Sequence, residues 1–341
     1  MAGELVLLTG ATGMVGFRNL VFALQKGYRV RCAVRNEAGF EKIKSRPSVA
    51  PYVDQLESVL VPDIAVEGAY DEAVQGGVTY VVHTASPLAM PHFTDYENEL
   101  IVPSVKGTVG ILESASKVPG IKRVVITASV ASLIPANLLF SPDGTVHTEK
   151  SRAPTPTGPY SNVLEAYFAA KVLAFQATEA FINEKKPAFD VINIHPGYIV
   201  GRDETVTEAK DITKGTNGLA FGQLFGKPAP FPVASTVVHL DDVARLHVDS
   251  LDPAIAGNQS FLASCQGPEG PNWSDALDIV KRRYPKEVAE GVFKVDGGAV
   301  QTARVLVDSS YTEKTFGFTF KTYEEQIVSV AEHSLELLGR K

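Results

Sequence analysis

The chain has 341 residues, with 45% hydrophobic and 21% charged side chains, a formal net charge of −7 and a pI of about 5.6. This length can bury a substantial core, and this balance is typical of a globular protein. The acidic surplus argues against nucleic acid as a partner, and no apolar run reaches the roughly 18 residues of a membrane span. Cys32 and Cys265 suit a reducing compartment and lack metal-ligand spacing. We therefore expect a cytoplasmic protein with no metal site and no leader peptide.

An apolar stretch at residues 5–9 is followed at once by three glycines at three-residue spacing, Gly10, Gly13 and Gly16. Gly10 permits a sharp turn, Gly13 lets backbone approach a pyrophosphate, and Gly16 lets the next helix, residues 17–26, pack closely on the strand. The N-terminus of that helix offers N–H groups and a positive dipole end to a diphosphate. Placed between a strand and a helix, this motif predicts a dinucleotide site more strongly than a lone glycine triplet does.

Strand and helix patterns alternate after this turn, which predicts an α/β Rossmann fold with a doubly wound parallel sheet. The further predicted strands are residues 28–34, 56–61, 78–83, 124–127, 189–194 and 260–263, and the longer predicted helices are residues 98–116 and 163–183. Ligands of such sheets bind beyond the carboxyl ends of the strands.

Past Pro196 the alternation loosens, which predicts a second, smaller part. We expect a dinucleotide-binding domain over residues 1–198, to which residues 234–264 return. The remaining residues, 199–233 and 265–341, are expected to form an interleaved α+β lid that binds substrate. Asp241 or Asp242 is expected to cap the helix that follows them, and Trp273 to pack in the lid.

The end of the second strand distinguishes NAD from NADP, because an acid there accepts hydrogen bonds from the ribose 2′-OH and repels a 2′-phosphate. This strand ends at Arg35, with no acid before Glu37. A guanidinium binds phosphate through paired hydrogen bonds, and Lys42 could add a second cation. The alternative is a solvated surface charge at Arg35. The pattern favours NADPH/NADP+, with Asp63 and Ile64 placed after the third strand where an acid commonly meets the adenine amino group.

Ser129, Tyr167 and Lys171 form the candidate catalytic set. The spacing of four places Tyr167 and Lys171 on one face of a helix. A free tyrosine titrates near pH ~10, and we expect the Lys171 ammonium, with the charge of the oxidised nicotinamide, to lower that pKa. Lys171 is also expected to hold the nicotinamide ribose, and Ser129 to orient a carbonyl oxygen. The set predicts reduction of a ketone or aldehyde to an alcohol, with the proton from Tyr167.

Together these motifs resemble the extended short-chain dehydrogenases/reductases, through Thr9-Gly10-x-x-Gly13-x-x-Gly16, Ser129 and the run Tyr167-Phe168-Ala169-Ala170-Lys171. Within that superfamily the chain is similar to the fungal and yeast NADPH-dependent carbonyl (methylglyoxal, aldehyde) reductases and to the plant dihydroflavonol 4-reductases. The resemblance implies an NADP-dependent oxidoreductase that acts on CH-OH or carbonyl groups. The likeness is weakest over residues 205–232 and after residue 267, so it says more about the reaction than about the substrate.

The predicted cofactor-binding residues surround these motifs. They are Gly10, Thr12, Gly13, Met14, Val15, Gly16, Arg35, Lys42, Asp63, Ile64, Thr84, Ala85, Ser86, Thr127, Tyr167, Lys171, Pro196, Gly197 and Ile199. The resemblance implies that residues 84–86 line the nicotinamide and its ribose, and that residues 196–197 lie against the carboxamide. Ser104 stands where many family members carry an asparagine that supports a water relay to the lysine, which leaves that relay open.

The predicted substrate contacts combine an apolar wall with few polar anchors, as a small hydrophobic carbonyl compound requires. They are Phe93, Val130, Ala131, Tyr198, Leu224 and Phe225. Ordinary packing inside the lid is the alternative reading for each of them. The chain is expected to act as a monomer or a homodimer.

Two other functions share this superfamily or fold. A sugar epimerase usually holds NAD, which favours an acid where Arg35 stands, and a dehydratase needs an extra acid and base beside Ser129. A non-catalytic dinucleotide-sensing regulator would not need all three residues of the catalytic set. His83, His195 and His239 form no ligand cluster, and a structural role is favoured for each.

Overall fold

The computed structural model describes residues 3–341. Within them the strands are β1 (Leu5–Thr9), β2 (Arg29–Val34), β3 (Leu56–Leu60), β4 (Val78–His83), β5 (Arg123–Thr127), β6 (Val146–His147), β7 (Asp190–Pro196), β8 (Tyr198–Val200), β9 (Val233–Ala234), β10 (Val237–His239), β11 (Gln259–Ala263), β12 (Thr302–Ala303) and β13 (Leu306–Val307). The α-helices are α1 (Met14–Gln25), α2 (Glu37–Lys44), α3 (Val102–Ser116), α4 (Val163–Lys185), α5 (Asn217–Leu224), α6 (Leu240–Asp249), α7 (Asp275–Arg283), α8 (Pro285–Ala289), α9 (Ser310–Phe316) and α10 (Tyr323–Leu337).

The main sheet has seven strands in the order β11-β7-β5-β4-β1-β2-β3. Pairing is parallel from β7 through β3, which confirms the predicted doubly wound Rossmann fold. The strand order reverses between β1 and β4, because the chain runs from β1 outward to β3 before it returns to β4. In open α/β sheets this switch point is where ligands bind, beyond the carboxyl ends of the strands.

The turn between β1 and α1 shows why the glycines stand where they do. Gly10 has φ +76°, which favours glycine, and a Cβ on it would lie 2.5 Å from Thr84 Oγ1. Gly16 packs still more closely, because a Cβ there would lie 2.1 Å from the carbonyl oxygen of Gly10. The roles predicted for Gly10 and Gly16 are therefore visible in the backbone.

Helices α3 and α4 contain the longer helical segments that the sequence predicts. The sequence predicts one helix over residues 98–116, whereas the chain forms a π-helical turn over Glu97–Ile101 and α3 begins only after it. Helix α4 begins at Val163, where the Asn162 side chain accepts hydrogen bonds from the backbone N–H groups of Leu164 and Glu165. This cap fixes the start of the helix that carries Tyr167 and Lys171.

The predicted cap of α6 is wrong. Asp241 and Asp242 lie inside the first turn of α6, which begins at Leu240. The Nδ1 atom of His239 instead accepts the backbone N–H of Asp241 at 3.0 Å. Asp242 accepts the backbone N–H of Lys321 at 2.8 Å, so its carboxylate serves the segment before α10.

The chain divides into two compact units. The first comprises residues 3–133, 152–195 and 244–261, and the second comprises residues 134–151, 196–243 and 262–341. Residues 134–151, which the sequence assigned to the dinucleotide domain, group with the second unit because β6 pairs with β13. Trp273 lies in the second unit, fully buried, and its indole N–H donates to the carbonyl of Ala234.

Replacement of two helical glycines by alanine is expected to change the stability of the protein in opposite directions. We expect Gly16→Ala to lower the free energy of unfolding by about 3 kcal/mol, because the new methyl group collides with backbone rather than with a movable side chain. Gly110 in α3 has open space around its Cβ position, so Gly110→Ala is expected to stabilise the protein by about 0.5–1 kcal/mol. Urea unfolding of both variants measures the contrast, and equal effects at the two positions would contradict this packing account.

Candidate active site

Four hydrogen bonds, one buried and three partly buried, join the start of the glycine turn to the end of β4. Thr9 Oγ1 accepts the backbone N–H groups of Thr84 and Ala85, each at 3.1 Å. The Thr84 hydroxyl donates to the carbonyl of Thr9 at 2.5 Å, and Thr9 Oγ1 lies 2.9 Å from Nδ1 of His83. The two loops at the switch point therefore form one rigid edge.

The hydrogen bonds of Thr9 decide which nitrogen of His83 carries the proton. Thr9 Oγ1 already accepts two N–H groups, so its own proton points at Nδ1, and the imidazole proton sits on Nε2. That Nε2 is buried without a hydrogen-bond partner among residues 3–341. Burial, helped by the charge of Lys171, lowers the pKa of His83 to about 3, and the ring stays neutral.

The N-terminus of α1 is open to an anion. Gly13 stands at the N-cap position and supplies no side chain to bond the first N–H groups, and no acid lies in the first turn. Met14 and Val15, the first residues of the helix, are half-buried. The positive end of the helix, with no capping side chain and no acid, suits a pyrophosphate, as the sequence predicts.

The residues predicted to meet the adenosine half lie after β2 and β3. Arg35 is exposed and makes no ion pair within the described part of the chain, and Lys42 is exposed on α2. Thr12 approaches the start of α2, where its methyl group lies 3.3 Å from a Cβ built on Gly39. Asp63 accepts the backbone N–H of Ala65, while Ile64 packs its side chain against Gly107 of α3, so it also serves the core.

Ser129, Tyr167 and Lys171 come together as the sequence predicts. Ser129 follows β5, and its side chain forms a hydrogen bond with the Tyr167 hydroxyl. The Lys171 ammonium lies 5.5 Å from the centre of the Tyr167 ring and 3.4 Å from the Ser86 hydroxyl. One acid, one hydrogen-bond donor and one cation therefore share the carboxyl edge of the sheet.

The pKa of Tyr167 is shifted in the direction opposite to the prediction. Burial raises the pKa of this phenol above its ordinary value, and the hydrogen bond from Ser129 only partly offsets that rise. Burial also lowers the pKa of Lys171 to about 8, so its ammonium is mostly charged at neutral pH and loses its charge as the pH rises through that value. In the protein alone, burial outweighs the attraction of the ammonium that the sequence argument relied on.

The backbone of Ser129 is held by residues that the sequence analysis left out of the site. Its carbonyl accepts the Ser132 hydroxyl at 2.6 Å, and Nδ1 of His195 lies 3.2 Å away. Ser132 Oγ is 2.9 Å from the same His195 nitrogen. The signal available from the sequence was positional: Ser132 lies one turn beyond Ser129, and His195 lies in β7, the neighbour of β5.

Thr127 and Ser104 occupy internal positions. The Thr127 hydroxyl is 2.7 Å from Nε2 of His247 on α6, so this side chain is engaged within the fold. Ser104 is buried in the first turn of α3, and its carbonyl accepts the Thr108 hydroxyl. The role of Ser104 in a water relay stays a prediction.

The predicted substrate residues of the first unit, Phe93, Val130 and Ala131, lie on two sides of Ser129 in the chain. Phe93 packs against an apolar cluster between the π-helical turn and α4, and Tyr167 packs against the same cluster. Val130 and Ala131 are buried in the short turn that follows Ser129. Phe93 therefore shares its surroundings with the candidate acid.

The remaining predicted residues lie in the second unit. Leu224 is fully buried, and the Phe225 ring stacks with Phe221 and Phe293, at centroid distances of 5.5 and 6.3 Å. These contacts favour ordinary packing for both, which is the alternative stated above. Four more predicted site residues lie in the second unit. Pro196, Gly197 and Ile199 are predicted cofactor contacts, and Tyr198 is a predicted substrate contact.

Gly197 and Tyr198 have visible structural partners. A Cβ on Gly197 would lie 2.5 Å from the carbonyl oxygen of Thr236, so the glycine permits this close backbone approach. The Tyr198 ring meets the Trp273 ring edge-on at 5.8 Å. Their predicted contacts with cofactor and substrate stay predictions.

Within residues 3–341, no cluster of three or more His, Cys, Asp or Glu side chains suits a metal ion. None of the helices in that part of the chain combines the length and the apolar character that crossing a bilayer requires.

This geometry defines a class of protein, a Rossmann enzyme with a dinucleotide turn and a Ser-Tyr-Lys set. Residues 6–257 match the model of the NAD dependent epimerase/dehydratase family, and the chain belongs to that family. The predicted resemblance to the extended short-chain dehydrogenases/reductases is thereby confirmed, and the relatives that follow make the chain an oxidoreductase.

Three of the relatives are named as reductases, and the match covers at least 96% of each of them. Ketoreductase CTB6 of Cercospora nicotianae is 39% identical over 345 residues, which cover 99% of this chain and 96% of that protein. The putative NADPH-dependent methylglyoxal reductase GRP2 of Candida albicans is 29% identical, over 94% of this chain and 96% of its own. The crystal structure of yeast methylglyoxal/isovaleraldehyde reductase Gre2 with NADPH has a TM-score of 0.83 at 24% identity, covering 99% and 100% of the two chains, and shows the same fold.

The neutral, buried His83 predicts acid sensitivity. Unfolded histidine takes up a proton near pH 6.5, whereas folded His83 stays neutral until about pH 3, so stability is full above 6.5 and falls as the pH drops through that window. At pH 5 one such histidine costs about 2 kcal/mol, which follows from ~1.5 pH units at ~1.4 kcal/mol each. We expect His83→Asn to remove about that much of the stability difference between pH 7 and pH 5.

Urea unfolding at the two pH values measures this effect, with His92→Asn as the control because His92 is exposed. An unchanged pH dependence in His83→Asn would show that His83 has the same pKa in the folded protein as in the unfolded chain.

Proposed function

We propose that the chain reduces a ketone or an aldehyde to the corresponding alcohol, with NADPH as the reductant. The observation that carries the proposal is the hydrogen bond between Ser129 and the Tyr167 hydroxyl, with Lys171 beside the phenol ring. Two hydroxyl groups converge there on one point, as binding a carbonyl oxygen requires. The names of the ketoreductase and methylglyoxal reductase relatives support the same reaction class.

The residues at the switch point fit a dinucleotide. A Cβ on Gly10 or Gly16 would collide with backbone or with Thr84, and the α1 N-terminus has no capping side chain. These features leave a closely packed turn beside a positive helix end, which suits a pyrophosphate. Bound at this place, NADPH would supply the hydride for the reduction.

The side chains supply the proton and the binding of the oxygen. Ser129 donates a hydrogen bond to the carbonyl oxygen and holds it beside the Tyr167 hydroxyl. Tyr167 then passes its proton to that oxygen as negative charge develops there. A phenol with a raised pKa stays protonated at neutral pH, so it is ready to act as an acid for reduction.

Lys171 acts through the charge and the hydrogen bonds of its ammonium. Its pKa of about 8 keeps it mostly protonated at neutral pH, and Ser86 lies within 3.4 Å of it. We infer that the ammonium binds the ribose hydroxyls of the cofactor and favours the phenolate that remains once Tyr167 has given up its proton. Further burial by a bound ligand strengthens both interactions, because screening by water falls.

The proposed preference for NADPH rests on Arg35. Its guanidinium stands at the end of β2, exposed and without an ion-pair partner in residues 3–341, where a 2′-phosphate would lie. An acid at this place would repel that phosphate. Lys42 adds a second exposed cation on α2.

The proposed substrate is small and largely apolar. Phe93 and Tyr167 pack on the same apolar cluster, and Val130 and Ala131 follow Ser129, so apolar groups dominate around the hydroxyl pair. Elimination chemistry, the alternative within the family, needs an acid and a base beside Ser129. The neighbouring Ser132 hydroxyl is instead committed to the carbonyl of Ser129.

Removal of the Tyr167 hydroxyl tests the proposed proton donor. Tyr167→Phe is expected to lower kcat for carbonyl reduction by about 1,000-fold, because the ring and its packing remain while the acid is lost. NADPH binding, measured by fluorescence titration, is expected to change little. Tyr70→Phe is the matched control, since the Tyr70 hydroxyl is buried without a hydrogen-bond partner in the described residues. Turnover by Tyr167→Phe at the wild-type rate would exclude Tyr167 as the acid.

Removal of the Arg35 charge tests the cofactor preference. Arg35→Ala is expected to raise the KM for NADPH by about tenfold or more and to leave the KM for NADH nearly unchanged, because the charge-assisted bonds to the 2′-phosphate are lost. Arg29→Ala, at the other end of β2, is the control. A parallel change for both cofactors would contradict the role of Arg35.

A further inference from the structure

His195 and Ser132 hold the carbonyl of Ser129 through four contacts, two of which involve the His195 ring. The Ser129 carbonyl accepts the Ser132 backbone N–H at 3.0 Å and the Ser132 hydroxyl at 2.6 Å. Nδ1 of His195 lies 3.2 Å from that carbonyl and 2.9 Å from Ser132 Oγ. Ser132 and His195 are both essentially inaccessible to solvent, so these bonds do not compete with water.

The positions of the protons follow from counting donors. The single proton of the Ser132 hydroxyl goes to the Ser129 carbonyl, so Ser132 Oγ must accept from His195. The imidazole proton therefore sits on Nδ1, which donates to both Ser132 Oγ and the Ser129 carbonyl. Nε2 is then the acceptor, and Ser260 Oγ donates to it at 3.1 Å. Every polar atom of the ring has a partner in this arrangement.

The ring is also held by its packing. The Phe175 ring meets the His195 ring edge-on, with 4.6 Å between the ring centres. The Arg152 guanidinium lies 4.8 Å from the centre of the Phe175 ring and also forms an ion pair with Glu179. Burial and the nearby charge of Arg152 lower the pKa of His195 to about 3, although its bond to Ser129 opposes the shift. The imidazole is therefore a neutral, fixed donor.

We propose that His195 is a positioning residue that sets the orientation of Ser129, and through it the hydrogen bond between Ser129 and Tyr167. Ser129 has extended backbone, with φ −164° and ψ 152°, and its peptide plane is held by the bonds to its carbonyl. Rotation of that plane would move Oγ away from the Tyr167 hydroxyl. Residue 195 acts through Ser129 and has no contact with the reacting atoms. The proposal rests on the proposed function.

Replacement of His195 by Asn or by Gln tests the proposal, because each amide side chain keeps a polar group at the position of one of the two imidazole nitrogens. Asn at position 195 retains a donor where Nδ1 stands, whereas Gln retains a polar group where Nε2 stands. We expect His195→Asn to keep kcat within about threefold of wild type, and His195→Gln and His195→Leu to lower kcat by about 10- to 100-fold. The KM for NADPH is expected to stay within about twofold in all three, because the glycine turn is untouched.

The pH dependence of the rate distinguishes a positioning role of His195 from a role in stability alone. The bond from Ser129 lowers the pKa of Tyr167, so its loss raises that pKa further. In the reverse reaction, alcohol oxidation, the phenolate is the base, and the pH at which half the rate is reached is expected to move upward in His195→Gln and His195→Leu. His195→Asn is expected to keep the wild-type profile. His333→Leu, which removes a buried histidine of the second unit, is the control for loss of stability alone.

Nitrogen-15 NMR of the free wild-type protein adds a readout without turnover, and it is expected to show the proton of His195 on Nδ1. An Nε2–H tautomer, or a Gln variant as active as the Asn variant, would overturn the proposal. If the wild-type protein turned over no carbonyl compound, the proposed function would fail, and this inference would fail with it. If the wild-type protein turned over a carbonyl compound and His195→Asn and His195→Gln had the same kcat, the proposed function would stand and only the positioning role of His195 would be contradicted.

Discussion

The hydrogen bond between Ser129 and Tyr167 in a dry environment is the interaction on which the site depends. Burial raises the pKa of the Tyr167 phenol, and Ser129 is the group that opposes this rise. A phenol that stays protonated at neutral pH suits an enzyme that delivers a proton, and the same phenol would be a poor base for the reverse reaction. The buried Lys171, with its lowered pKa, supplies less stabilising charge than its sequence position suggests.

Two neutral histidines support this arrangement from β4 and β7, the two strands that flank β5 in the sheet. His83 ends β4 and bonds Thr9, which in turn holds the loop after β4 to the glycine turn. His195 lies in β7 and bonds the carbonyl of Ser129. Burial keeps both rings uncharged, so each acts as a directed hydrogen-bond partner. One histidine thus serves the proposed cofactor turn, and the other serves the proposed catalytic serine.

The fold and the meeting of Ser129, Tyr167 and Lys171 could be predicted because their signals are local. Strand-length apolar runs, the glycines after β1, and the spacing of Tyr167 and Lys171 depend on neighbours within a few residues. The β1–α1 turn, with Gly10 at positive φ, follows directly from that pattern.

What could not be predicted depends on groups that are distant in sequence. The bond between His195 and Ser129 joins residues 66 positions apart, and no spacing rule reports it. The sign of the Tyr167 pKa shift depends on how completely the surroundings exclude water, which the four-residue spacing cannot show. The predicted cap of α6 was wrong partly for this reason, because the carboxylate of Asp242 bonds the backbone N–H of the distant Lys321.

The acidity of Tyr167 in the free protein tests the central claim most directly. Carbon-13 NMR of protein labelled at the tyrosine Cζ, assigned with a Tyr167→Phe sample, gives that pKa without any substrate. We expect a value above the ordinary ~10, and a still higher value in Ser129→Ala, because burial dominates and the serine opposes it. A Tyr167 resonance that titrates at or below the ordinary value, or one that Ser129→Ala does not move, would contradict this account of the site.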